Sequence, residues 1–274
     1  MTSTSVPEML SDASLAASLP GGFTSRLAEV GGVRLHYVDG GAGAPLLLLG
    51  GWPQTWWQWH KVMPALAQRY RVIAVDLRGM GGSGKPAAGY DKKTMAADIR
   101  ALVTHLGLAS VSIAGHDIGA MVAYAYAANY PGATEKIALL DVPHPDEGWP
   151  RFGLLPEADQ HVDSVIEAGD RSFLWWFAFN QVQELPELLL GDGRIRLLID
   201  WLFTRQARNP AAIDEHSLDH EPELVQIAAE CVGPHRIRRP RQLPRSALDP
   251  IEVAHHSAMR EEHRLVPPRQ TGNG

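Results

Sequence analysis

Five residues, Gly115-His116-Asp117-Ile118-Gly119, constrain this chain more than any other stretch. They follow a short strand-like run, Val111-Ser112-Ile113-Ala114, and open a small-residue helix running from Ala120 to Ala128. A strand that turns at once into a helix leaves no room for a Cβ two residues before or after the turn, so glycine is required on both flanks. The residue between them, Asp117, is raised on a strained turn at the carboxyl end of a strand, where α/β sheets gather reactive groups. An Asp in that place can cap the following helix, or it can attack a substrate. A Ser there would need a neighbouring base first, whereas a carboxylate is ionised already at neutral pH.

Charge and composition narrow the partners. The chain has 274 residues and a formal net charge of −6, which argues against nucleic acid. Its single cysteine, Cys231, allows no intrachain disulfide and no metal cluster. No run approaches the ~20 apolar residues a membrane helix needs. Residues 1–23 are Ser/Ala-rich with no basic start, so a secretory signal is not expected and they read as a flexible arm. The expected location is cytoplasmic.

The order of patterns along the chain predicts an α/β fold with a mostly parallel sheet. Residues 24–30 and 33–38 alternate apolar and polar about Gly31-Gly32, as in a hairpin. Pro45-Leu46-Leu47-Leu48-Leu49 is continuously apolar, as a central strand buried on both faces should be. Residues 54–70 carry helical spacing, 71–76 form the next strand, and 93–106 an amphipathic helix; after the Asp117 turn and its helix comes a strand at 136–141. Residues 24–142 therefore read as the core. From Val142 prolines interrupt the pattern, and 172–201 is helical and rich in Trp, Phe and Leu, so 143–220 is expected to form a helical cap over the sheet. Residues 221–274 hold Arg, Pro and His with no apolar period, and read as a divergent, poorly ordered segment in which the last core strands are missing. A frameshift or truncation in a GC-rich gene would produce such a string.

Three further stretches make a family likeness specific. Gly50-Gly51-Trp52-Pro53-Gln54-Thr55-Trp56-Trp57, Arg78-Gly79-Met80-Gly81-Gly82-Ser83-Gly84-Lys85-Pro86, and Trp176 to Gln181 with Leu185-Pro186-Glu187 all resemble segments of epoxide hydrolases and haloalkane dehalogenases. Both belong to the α/β-hydrolases, and the likeness runs from about residue 30 to 218. It implies a nucleophile elbow at Asp117 and a covalent alkyl-enzyme ester, formed by opening an epoxide or displacing a halide and then hydrolysed by water. It implies an oxyanion hole built from the backbone N–H groups of Trp52 and Ile118. It implies that Asp141, after the strand that follows the elbow, is the acid orienting a catalytic His. In the cap it puts Trp176 where such enzymes carry a Tyr or His that polarises the epoxide oxygen; an indole N–H can donate a hydrogen bond but cannot ionise. Trp175 beside it reads as packing.

Departures from the pattern matter as much. Gly50 stands where the family usually has a His that braces the oxyanion loop. No strand followed by a Gly-His loop is legible after the cap, so His235, His255, His256 and His263 read as solvated surface residues. Haloalkane dehalogenases carry Trp directly after the nucleophile; fluoroacetate dehalogenases carry Arg there and three residues on. Ile118 and Met121 fill those positions here, which favours the epoxide reading over either dehalogenase. Gly79 to Gly84 matches G-x-G-x-x-G, but Lys85-Pro86 continues as loop where a nucleotide site needs a helix. His116 reads as a packing residue beside the nucleophile. The expectation is an epoxide hydrolase using neither metal nor organic cofactor, acting on an apolar or aromatic small-molecule epoxide. No nucleic-acid or membrane partner is expected, and a homodimer is left open. The rival reading is a hydrolase-like binding protein that has lost its His base.

Overall fold

The computed structural model describes residues 11–142 and, between 167 and 209, the elements named below with short flanks. The first strands are β1 (Thr24–Val30) and β2 (Val33–Gly40), joined through Gly31 and Gly32 at φ 58° and 80°. Two successive positive φ angles make the tight hairpin turn that Gly-Gly favours. Next come β3 (Ala44–Leu49), a 3₁₀ turn (Trp56–Trp59), α2 (Met63–Leu66), β4 (Tyr70–Val75) and α3 (Lys92–His105). The elbow joins β5 (Val111–His116) to α4 (Ile118–Asn129), and β6 (Thr134–Leu140) follows. An earlier helix, α1, spans Asp12–Ser18.

The strands pair in the order β1-β2-β4-β3-β5-β6. β1, β2 and β4 pair antiparallel, while β3 runs parallel to both β4 and β5, and β5 parallel to β6. From β3 the chain goes first to one side (β4) and then to the other (β5). The carboxyl ends of β3 and β5 therefore flank the switch point where such sheets bind ligands. The residues following those two strands are Gly50-Gly51-Trp52 and Asp117.

Alternation along the strands feeds two cores. Leu47, Leu49, Ile73, Val75 and Ile113 pack with Met95, Ile99, Leu102, Val122 and Tyr126 from α3 and α4. Leu48, Val72 and Ala74 face the opposite layer with Trp56, Trp59, Met63 and Leu15. Period-two apolar residues on both faces are what a covered parallel sheet demands.

Two expectations need correction. Residues 12–18, read as part of a flexible arm, form α1: the Ser11 side chain accepts from the Ser14 N–H as N-cap, and Leu15 and Ala16 are fully buried. Much of the apolar cluster that holds this short helix comes from residues distant in sequence, Trp56 and Met63 among them, so local pattern gave no sign of it. Residues 54–70 are not one helix, because Pro64 sits at the start of α2 and cannot continue a helix from the 3₁₀ turn. Just ahead of the segment read as helical from 172, β7 (Glu167–Ala168) and β8 (Arg171–Ser172) form a small hairpin, and helices α5 (Trp175–Phe179), α6 (Leu185–Leu190) and α7 (Ile195–Gln206) follow. Among the described residues β6 is the last strand of the large sheet, and Leu140 on it is exposed. The segment 221–274, with the four histidines named above, lies outside the described residues, as do 143–166. No helix among the described residues is long and apolar enough to cross a membrane.

Candidate active site

Close approach of backbones fixes the elbow. A Cβ on Gly115 would lie 2.3 Å from the Gly119 carbonyl oxygen, and one on Gly119 would lie 2.3 Å from that of Leu49 and 2.5 Å from that of Gly50. The first turn of α4 thus rests directly on the end of β3. Asp117 has φ 52° and ψ −122°, a combination costing a non-glycine residue of order 1–3 kcal/mol. Its N–H donates to the Leu140 carbonyl at 3.2 Å, and its carbonyl accepts from Ala120 and Met121 at 3.0 and 3.2 Å.

The Asp117 side chain makes no capping hydrogen bond to α4. Its Oδ1 accepts from the Trp52 N–H at 2.9 Å. Of the two amides expected to form an oxyanion hole, that of Trp52 therefore holds an oxygen of Asp117 itself. Burial pushes this carboxyl above the usual carboxylate range; the Ile118 and Trp52 amides, with the charges of His116 and Lys92, pull the other way.

The loop carrying Trp52 is pinned at several points. Gly51 is compulsory, since its Cβ would lie 2.7 Å from Asp117 Cβ and 2.9 Å from His116 Nδ1. Its N–H donates to Gln58 Oε1 at 3.0 Å, and its carbonyl accepts from the Gln54 N–H at 2.8 Å. The Trp56 N–H donates to Asp76 Oδ1 at 2.6 Å. Asp76, buried at the end of β4, also accepts from the Gly82 N–H at 3.0 Å and from His36 Nδ1 at 2.7 Å. The Gly82 amide that a phosphate would need is thus engaged by Asp76, in keeping with the reading of Gly79 to Gly84 as a loop and not a nucleotide site. Burial lowers the pKa of His36, but hydrogen bonding and charge from Asp76, with the charge of Asp12, outweigh it and raise it overall. Asp12 Oδ1 accepts from the Trp56 indole at 2.6 Å, tying α1 to the same loop. Arg78 anchors the next loop through two bonds to Asp98 on α3, at 2.6 and 2.7 Å, both partners being buried.

The remaining expected site residues are placed as follows. Asp141 ends β6 with φ 47° and a side chain 93% exposed, its Oδ2 3.9 Å from His116 Nε2. His116 Nδ1 is buried without a hydrogen-bond partner among the described residues. Trp175 and Trp176 are half-buried, meet edge to face at 6.1 Å, and pack against the cluster that contains Trp52 and Ile118. Gln58, Asp76, His36 and Asp12 were not singled out from sequence; only Asp76 carried a signal, as a carboxylate at a strand's end.

The profile of the alpha/beta hydrolase fold matches residues 44–177. The solved structure of epoxide hydrolase CorEH without ligand superposes with a TM-score of 0.59 and 33% identity, covering 76% of this chain and 70% of that one. The chain belongs to the α/β-hydrolase fold family. Within it, the chain is 50% identical over 119 residues to the soluble epoxide hydrolase of Corynebacterium sp. (strain C12), covering 43% of this chain and 42% of that protein. It is 35% identical over 203 residues to a fluoroacetate dehalogenase of Burkholderia sp., covering 72% and 62%. The chain spans about half the length of the curated relatives it matches.

Proposed function

We propose that this α/β-hydrolase converts an epoxide to a vicinal diol through an ester on Asp117. The observation that carries the reading is the Asp117 carboxylate oxygen held by the Trp52 amide. The other oxygen attacks a ring carbon, the C–O bond of the epoxide breaks, and the released oxygen takes up a proton, leaving a hydroxyalkyl ester. Water then adds to Asp117 Cγ. Negative charge returns to the oxygen already bonded to the Trp52 amide, so that donor is in place before the charge develops. Collapse releases the diol and leaves a water oxygen in Asp117. The kinship with epoxide hydrolases supports this choice of substrate class.

Water activation in this scheme needs a His oriented by an acid. We assign Asp141 as that acid, on its place at the end of the strand beside β5 and its approach to His116. Trp176 is assigned as a donor to the epoxide oxygen, on its position in the cap motif and its half-buried packing against the Trp52 cluster. Likeness to a fluoroacetate dehalogenase keeps halide displacement as a second reading. Apolar Ile118 and Met121 stand against it, since neither can grip a carboxylate. A single turnover in heavy-oxygen water decides the mechanism: the label enters Asp117, and Asp117→Asn forms no ester. Label found only in the diol after that first turnover means direct attack by water and overturns the covalent route.

A further inference from the structure

The amide of Trp52 is only as useful as the peptide that carries it is fixed, and Gly50 offers no side chain for that task. The structure shows what does. Gln58, on the 3₁₀ turn, accepts the Gly51 N–H at 3.0 Å through Oε1, and the same oxygen lies 3.1 Å from where a Gly50 Cβ would be. Gln58 thus occupies the space beside Gly50 and bonds the peptide that enters Gly51. The peptide that leaves Gly51, which bears the Trp52 N–H, is held from its oxygen by the Gln54 N–H. On the opposite side Gly119 packs against the Gly50 carbonyl oxygen, so close that a Cβ there would be 2.5 Å away. Gln58 is itself fixed by its own N–H, which donates to the Thr55 carbonyl at 3.1 Å. The Thr55 side chain in turn accepts the Trp57 N–H at 3.3 Å.

We infer that Gln58 is the positioning residue of the oxyanion loop, its amide oxygen holding Gly51 so that the Trp52 N–H meets Asp117. It touches no reacting atom. Its catalytic consequence rests on the ester reading above, whereas its hold on the Trp52 amide does not. The variants Gln58→Leu, which removes the acceptor at similar size, and Gln58→Glu, which keeps an oxygen in the same place, separate the two. Amide hydrogen exchange of the full chain reads the hold directly: Trp52 should exchange at least about tenfold faster in Gln58→Leu, the cost of one weakened hydrogen bond of ~1.4 kcal/mol. Gln58→Glu should restore it, with the melting temperature of both close to the parent's. The ester formed with styrene oxide, followed by intact mass, should decay about 10²-fold more slowly in Gln58→Leu, the scale of a ~1 Å misplacement, and recover in Gln58→Glu. Parent-like exchange at Trp52 in Gln58→Leu overturns the inference, whatever the mass shows. Faster exchange with no ester in the parent upholds the positioning role and sinks the ester reading instead.

Discussion

Gly51→Ala tests whether the Trp52 amide serves the reaction. The new methyl would lie 2.7 Å from Asp117 Cβ and 3.1 Å from Asp117 Oδ1. Carbon atoms in contact sit about 3.5–4.0 Å apart, so something must yield by roughly 1 Å. Asp117 cannot recede, because its N–H is bonded to Leu140 and the turn beneath it is packed backbone on backbone at Gly115 and Gly119. The loop must move instead, and the 2.9 Å bond from Trp52 to Asp117 Oδ1 stretches past the ~3.2 Å limit of an N–H···O bond. The two steps of the reaction feel this differently. During ester formation the carboxylate loses charge, so the hole has little to stabilise. During hydrolysis charge returns to the oxygen in the hole, and losing one donor there costs about 10²–10³ in rate. Gly51→Ala should therefore accumulate ester: formation, followed by intact mass after mixing with styrene oxide, changes little while decay slows by that factor. Overpacking should lower stability by about 1–3 kcal/mol in urea unfolding. Gly132→Ala is the matched control, since a Cβ there meets nothing within 4 Å. Ester decay at the parent rate in Gly51→Ala, with the control also unchanged, would refute the role given to Trp52.

Other expectations are equally direct. Trp176→Phe keeps an aromatic ring and removes the N–H; ester formation should slow by about 10²-fold if Trp176 polarises the epoxide, and an unaltered rate assigns it to packing. Asp98→Ala strands a buried Arg78 and should cost about 3–5 kcal/mol in urea unfolding, much of it recovered in the double variant Arg78→Met/Asp98→Leu; a cost below ~1 kcal/mol means the pair holds nothing. His36 has a raised pKa in the folded chain, so its protonation stabilises the fold. That contribution is complete below its ordinary pKa of about 6.5 and is lost as pH rises through the higher folded value. The stability gap between the parent and His36→Asn should shrink with rising pH across that window, and a gap that is flat or widening contradicts the assignment.

What could be read from the sequence was what the backbone imposes locally. Gly115 and Gly119 are demanded by contacts within a few residues of the turn or with the neighbouring strand's end, so the elbow announced itself. Gly31-Gly32 marked the hairpin, and the unbroken leucines of β3 marked a strand covered on both faces. What escaped was whatever depends on partners distant in sequence. Asp12 meets the Trp56 indole 44 positions away, and His36 meets Asp76 40 positions away; neither leaves a mark in local spacing. The missing His at position 50 was legible as a loss, but its replacement was not, because Gln58 acts through a side-chain oxygen of a kind that many polar residues on a short turn carry. No general base was legible, because the sequence after 220 has no apolar period to mark a strand and its His loop, and those residues lie outside the described residues.

The bonding of Asp117 also bears on why a carboxylate, and not a hydroxyl, occupies this elbow. A Ser oxygen would attack from the turn while the substrate's own oxygen filled the hole. In the proposed reaction Asp117 brings its own second oxygen to the hole, and the 2.9 Å bond from Trp52 is formed before any substrate arrives. Occupying the hole in advance favours the ionised form of a group that burial disfavours. It also fixes the free oxygen in direction, since a carboxylate held at one oxygen over a strained φ of 52° has little freedom at the other. In the ester cycle proposed above, the same bond must lengthen slightly when alkylation removes the charge and tighten again when water adds. The loop is therefore required to return to one position twice in each cycle, which is what the contacts at Gly119, Gln54, Gln58 and Asp76 enforce from four sides.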